Sequence, residues 1–124
     1  MPDKDDFTAK LMDDMPEDLL DFVKTKVNSF IKWDLVRFFQ ENPHTIDTVE
    51  NIAKYAGRSL SAVAPELEDL EANGIMSRSL VNDQVVYYLT EDDMMRDLID
   101  RFIAACEDRH FRVKAVYHII RGMQ

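Results

Sequence analysis

Gly57 and Gly74 punctuate the middle of this 124-residue chain and confine what lies around them to two short, tightly joined helices. Before Gly57, the residues Val49, Ile52, Ala53 and Tyr55 or Ala56 recur at three- and four-residue steps, the spacing of one helix face. Asp47 or Thr48 can cap this helix, which runs from Thr48 to Ala56. After the turn, Arg58-Ser59-Leu60-Ser61 leads into a second helix whose buried stripe is Val63, Leu67 and Leu70. Asn73-Gly74 ends it, because both residues tolerate the left-handed conformation that closes a helix. Pro65 is accommodated if this helix begins late and places the proline in its first turn.

The flanking segments complete the pattern. The stretches Ile75–Val81 and Val85–Leu89 read as two strands joined at Asn82-Asp83-Gln84. Upstream, a helix begins near Pro16, with Glu17 and Asp18 in its first turn. Asn28 or Ser29 caps another, Phe30–Glu41, whose apolar residues cover much of its circumference and place it at the centre of the core. Asn42-Pro43 ends that helix. Thr90 is the expected cap of a final helical region, with Asp93 in the capping-box position, extending to Ile120. The expected organisation is an acidic N-terminal tail over 1–15, a domain with its preceding helix over 16–90, and a C-terminal helical region over 91–121.

Composition narrows the function classes. The chain is 46% hydrophobic and 31% charged, with a net charge of −9, which disfavours nonspecific attraction to phosphate or anionic membrane. No apolar run reaches membrane-spanning length, and the acidic start lacks the features of a signal peptide. The single cysteine, Cys106, cannot form an internal disulfide, so a cytoplasmic protein is expected. Charge is uneven. Residues 1–21 hold eight acids against Lys4 and Lys10, whereas residues 109–124 hold Arg109, Arg112, Lys114 and Arg121 with no acid. The two ends can attract each other, within a chain or between copies. The plainer expectation is a solvated tail and cations that suit a helix C-terminus.

The segment Thr48–Tyr88, with its run N-I-A-K-Y-A-G-R-S-L-S-A-V-A-P-E-L-E-D-L-E-A-N-G-I-M, resembles the core of a winged helix-turn-helix. The match lies at Ile52-Ala53, Gly57, Leu67, Leu70, Gly74 and Ile75. With its flanking helices the chain is similar to small MarR-, ArsR- or PadR-like regulators, in which a terminal helix often makes the dimer. The fold so implied is mainly α with a small β-hairpin wing and extra N- and C-terminal helices.

The resemblance also implies DNA binding through the helix after Gly57, the third of the motif, and through the wing. It nominates Lys54, Arg58, Ser59, Ser61 and Arg78 as contacts, with Glu66 and Asp69 reaching further along the helix. The charge opposes this. From Ala62 to Ser77 there are four acids, Glu66, Glu68, Asp69 and Glu71, and no lysine or arginine, although phosphate neutralisation by cations supplies most DNA affinity. The alternative is a winged helix that has lost DNA binding and meets a basic protein partner. The acids can also be no more than the wet side of an amphipathic helix.

The C-terminal region is apolar on more than one side. Leu98, Phe102, Val113, Tyr117 and Ile120 track one face and are candidates for a homodimer interface. The other expectation is that the region breaks near Asp108 and folds back onto the N-terminal helix. Cys106 and His110 share a helical face, with His118 further on, but a zinc site needs three or four ligands and core filling suits a lone cysteine better. No metal, cofactor or catalytic set is expected. Trp33, Phe38 and Phe39 fit a core better than a ligand pocket.

Overall fold

The computed structural model describes residues 4–124, with side chains from Phe7 onward. Among the described residues, seven helices and one small sheet follow in the order α1 (Lys4–Met12), α2 (Glu17–Thr25), α3 (Phe30–Glu41), β1 (Ile46–Thr48), α4 (Val49–Ala56), α5 (Leu60–Ala72), β2 (Met76–Val81), β3 (Gln84–Leu89), α6 (Asp93–Ala105) and α7 (Arg109–Gly122). Both strand pairings are antiparallel, in the order β1-β3-β2. Among the described residues no helix is long and apolar enough to cross a membrane.

Short side chains set the helix boundaries. Ser29, Thr48 and Ser59 each accept a backbone N–H from three residues on, from Lys32, Asn51 and Ala62 respectively. Gly57 adopts a left-handed conformation with φ of 67°, and the amide of Arg58 returns to the carbonyl of Ala53 at 3.1 Å. That is the reversal the sequence places at this glycine, and it fixes the corner between α4 and α5. The wing turns on two residues rather than three: Asn82 and Asp83 have φ of 52° and 65°, and Gln84 already pairs with Val81. Two consecutive left-handed residues are what a tight hairpin with right-handed strand twist requires.

Four expectations need correction. Part of the expected acidic tail is helical from Lys4, while Met1, Pro2 and Asp3 lie outside the described residues. A third strand, Ile46-Asp47-Thr48, pairs with β3 just before α4. Pro65 does not lie in a first turn: α5 begins at Leu60, so the proline removes a hydrogen bond to the carbonyl of Ser61 inside the helix. Asp92, not Thr90, caps α6 through the amide of Met95 at 2.9 Å, while the buried Thr90 hydroxyl accepts from the amide of Asp92 at 3.1 Å. The C-terminal region follows the second of its two expectations, a break near Asp108 and a return to the N-terminal helices. Asp108 caps α7 through Phe111, and α7 turns back to pack on α1 and α2.

This fold-back completes the core. Phe22 of α2, Trp33 of α3, Phe102 of α6 and Phe111 of α7 form an aromatic chain, with centroids 5.3 Å, 5.7 Å and 6.0 Å from the Phe102 ring at its centre. Such edge-to-face pairs add to the stabilisation from burial alone. Around them, Leu35, Phe39, Ile52, Leu67, Leu70, Ile99 and Ile119 are essentially inaccessible. The charged ends of the sequence meet as well. Lys114 Nζ donates to the Asp14 carbonyl at 2.9 Å, and His118 Nε2 lies 2.9 Å from the Met12 carbonyl and 3.3 Å from Asp13 Oδ1. Lys114 and His118 thus meet the acidic front, whereas Arg109 and Arg121 remain exposed.

Candidate nucleic-acid interface

The corner between α4 and α5 presents Lys54, Arg58, Ser59 and Ser61, all exposed, and β2 carries the exposed Arg78. Their chemistry is unequal. Ser59 Oγ is committed to the cap of α5, accepting from Ala62 N at 3.2 Å, and lies 3.3 Å from Ser61 Oγ. Arg58 is held by α3: its Nη2 donates to Asp34 Oδ2 at 2.7 Å. Lys54 and Arg78 form no ion pair with any described residue. Arg78 pairs with Tyr87 across the hairpin and lies beside Ser79, Leu80 and Val85, three further exposed side chains.

The acids of α5 do not form one wet face. Lys32 of α3, only 4% exposed, reaches across to Glu66 at 3.3 Å and to Asp69, and also donates to Asn28 Oδ1 at 2.7 Å. Glu66 and Asp69, expected to extend toward DNA, instead turn to α3. Glu68 and Glu71 are the acids of α5 that stay clear of this cluster. The lysine stem is buried along the stripe Lys32, Leu35, Val36 and Phe39.

The base of α4 is fixed by a second polar cluster. Asp47 accepts from Thr48 N at 2.8 Å, Asn51 Nδ2 at 2.7 Å and Tyr55 Oη at 2.5 Å. The Tyr55 hydroxyl, followed by Asn51, holds the Asp47 carboxyl below its ordinary value, and the same bond raises the Tyr55 phenol. The Tyr55 ring stacks on Phe38 at 5.2 Å. Phe38 thus supports α4 from α3.

A solved structure described as a possible transcriptional regulator from Methanosarcina mazei Go1 shares this architecture, with a TM-score of 0.51 and 20% identity over 75% of this chain and 80% of that one. No protein-family model and no curated protein sequence matches the chain. The fold is a winged helix.

In this winged helix, sequence reasoning missed two residues that shape the candidate interface: Asp34, which restrains Arg58, and Lys32, which pairs with two acids of α5. Lys32 left a signal, since it stands at the head of the buried stripe of α3. Asp34 left none, because its partner is 24 residues away. One dimer-interface candidate is corrected: Phe102 is fully buried inside the chain and has no surface to offer a second copy. Leu98 is half-buried against the core, Tyr117 is half-buried beside His118, and Val113 and Ile120 are 51% and 47% exposed. Cys106, also half-buried, has its thiol pushed by burial up to about 12, with Arg112 and Arg37 pulling more weakly the other way.

Proposed function

We propose that this chain is a non-catalytic, transcription-regulator-like winged helix that binds duplex DNA through the N-terminal turn of α5 and the wing. Lys54, Ser59, Ser61 and Arg78 make the contacts, and Arg58 adds a fifth once it leaves Asp34. The observation that supports this reading is the buried Lys32, which draws Glu66 and Asp69 toward α3 and so lowers the charge opposing phosphate along α5. The family of regulators resembled, whether MarR-, ArsR- or PadR-like, belongs to the same proposal.

Fluorescence anisotropy with labelled random and genomic-fragment duplexes, across a salt series, tests it. Two cations per chain, and a third once Arg58 is released, neutralise four to six phosphates in a dimer, so the log–log salt slope is expected at about −4 to −5. Combining Lys54→Glu with Arg78→Glu is expected to abolish binding. Absence of binding at low salt would instead favour a protein-interaction module meeting a basic partner. One feature supports that second reading: Leu80 and Val85, paired across the wing, are 69% and 41% exposed.

The protein also acts as a homodimer in this proposal, through the outer face of α7 around Val113, Tyr117 and Ile120, with Leu98 at its margin. Light scattering is expected to give twice the chain mass, and to give the single-chain mass after Val113→Glu and Ile120→Glu.

A further inference from the structure

We propose that the cleft between α3 and the α6–α7 corner binds a small planar organic cation, and that its occupant is sensed at the DNA-binding corner through Asp34. The second half rests on the DNA-binding reading above; the first does not. The cleft encloses about 320 Å³, room for one small ligand. One wall is aromatic: the rings of Phe30 and Trp33 stack with centroids 6.5 Å apart and planes 16° apart. Ile103 and Cys106 add apolar lining, and Cys106 stays a neutral thiol there.

Three carboxylates line the same space, Asp34, Glu41 and Glu107, against two guanidiniums, Arg37 and Arg112. Arg37 is paired with a carboxylate, whereas Arg112 is held by backbone carbonyls and keeps its charge. Arg37 lies 3.8 Å from Glu41, one turn on, and Arg112 donates to the carbonyls of Cys106 and Glu107 at 3.0 Å and 3.3 Å. Glu107 forms no ion pair among the described residues, and Asp34 is paired to Arg58 from outside the cleft. An aromatic cation satisfies both kinds of lining. Its ring meets the face of Trp33, where ring and charge are both attracted, and its charge is shared by Asp34 and Glu107.

Asp34 then serves two partners. A cation seated on it weakens its hold on Arg58, the residue just before the cap of α5. Arg58 becomes available to a phosphate, so ligand and DNA strengthen each other's binding by the same factor.

Trp33 is the sole tryptophan and reports on the cleft directly. Benzamidine is the probe, and benzoate, of the same shape and opposite charge, is its control. Benzamidine is expected to change Trp33 emission saturably, and benzoate is not. Glu107→Gln and Asp34→Asn, each checked for native circular dichroism, are expected to weaken benzamidine about tenfold, the loss of roughly one charge-assisted contact. No saturable response to benzamidine, an equal response to benzoate, or undiminished binding by Glu107→Gln overturns the site. For the coupling, saturating benzamidine is expected to raise duplex affinity several-fold in the parent chain and not in Arg58→Gln. DNA binding indifferent to benzamidine overturns the coupling. Absence of any DNA binding overturns it together with the proposed function, while the Trp33 titration still decides the cleft.

Discussion

Lys32 carries more of this fold than its surface-residue chemistry suggests. Its stem lies in the stripe that seats α3, and its ammonium is met by Asn28, Glu66 and Asp69. Lys32→Met keeps the stem and leaves two carboxylates that water can still reach, so it is expected to cost about 1–2 kcal/mol in chemical denaturation. Lys32→Ala removes packing as well and is expected to cost about 3 kcal/mol. Equal losses for the two variants would show that the stem does not matter. Cys106 gives the pH-dependent counterpart. Its thiol is raised from 9.0 to about 12 in the folded chain, so the folded state disfavours the thiolate. Stability is therefore unaffected below pH 9 and declines as pH climbs from there toward 12. At neutral pH the native thiol is expected to react with a disulfide reagent far more slowly than the unfolded one. At this scale the sequence was only partly legible. Lys32 could be read from its i, i+3, i+4, i+7 stripe with Leu35, Val36 and Phe39. The Arg58–Asp34 pair could not, because nothing local links a turn residue to a helix 24 positions upstream.

Elements were more legible where chemistry is local. The caps at Ser29 and Thr48, the Gly57 reversal and the hairpin could be read because each depends on residues within a few positions of one another. The sequence did not reveal β1, since three residues show no periodicity and a strand so short exists only because β3 pairs with it. The start of α5 was misjudged for a related reason. Propensity places Pro65 at a helix start, yet the Ser59 cap and the buried stripe of Val63, Leu67 and Leu70 carry the helix past it. That tertiary override has a measurable cost. Pro65 is exposed, so Pro65→Ala restores a backbone hydrogen bond without disturbing the core. It is expected to stabilise the protein by about 1–3 kcal/mol, seen as a rise in Tm. An unchanged or lower Tm would mean that the proline is not strained.

For the whole molecule, the decisive feature is the return of α7 onto α1 and α2. Neither face of the C-terminal region could be assigned from periodicity, because both are apolar and burial inside the chain competes with burial between copies. The structure places Phe111 and Ala115 in the same core as Phe22 and Phe102, and buries Ile119 of the same helix completely. The C-terminal hairpin is therefore part of one cooperative unit. Ile119→Ala is expected to cost about 2–4 kcal/mol, comparable to Ile52→Ala in α4. Helical circular dichroism and Trp33 fluorescence are expected to report a single coincident transition. Two separated transitions would show instead that α7 is an independent appendage.

Arg78 stands on the outermost strand of a three-stranded sheet, and β2 offers its outer backbone amides and carbonyls to whatever approaches. Open strands of this kind recruit other strands, and a charged side chain is among the ordinary defences against that. With Leu80 and Val81 exposed on the same strand, Arg78 is the one charged residue of β2 and the side chain expected to act against such pairing. Replacement by valine would therefore confuse lost affinity with lost colloidal stability. A glutamate at this position keeps the guard while reversing the charge.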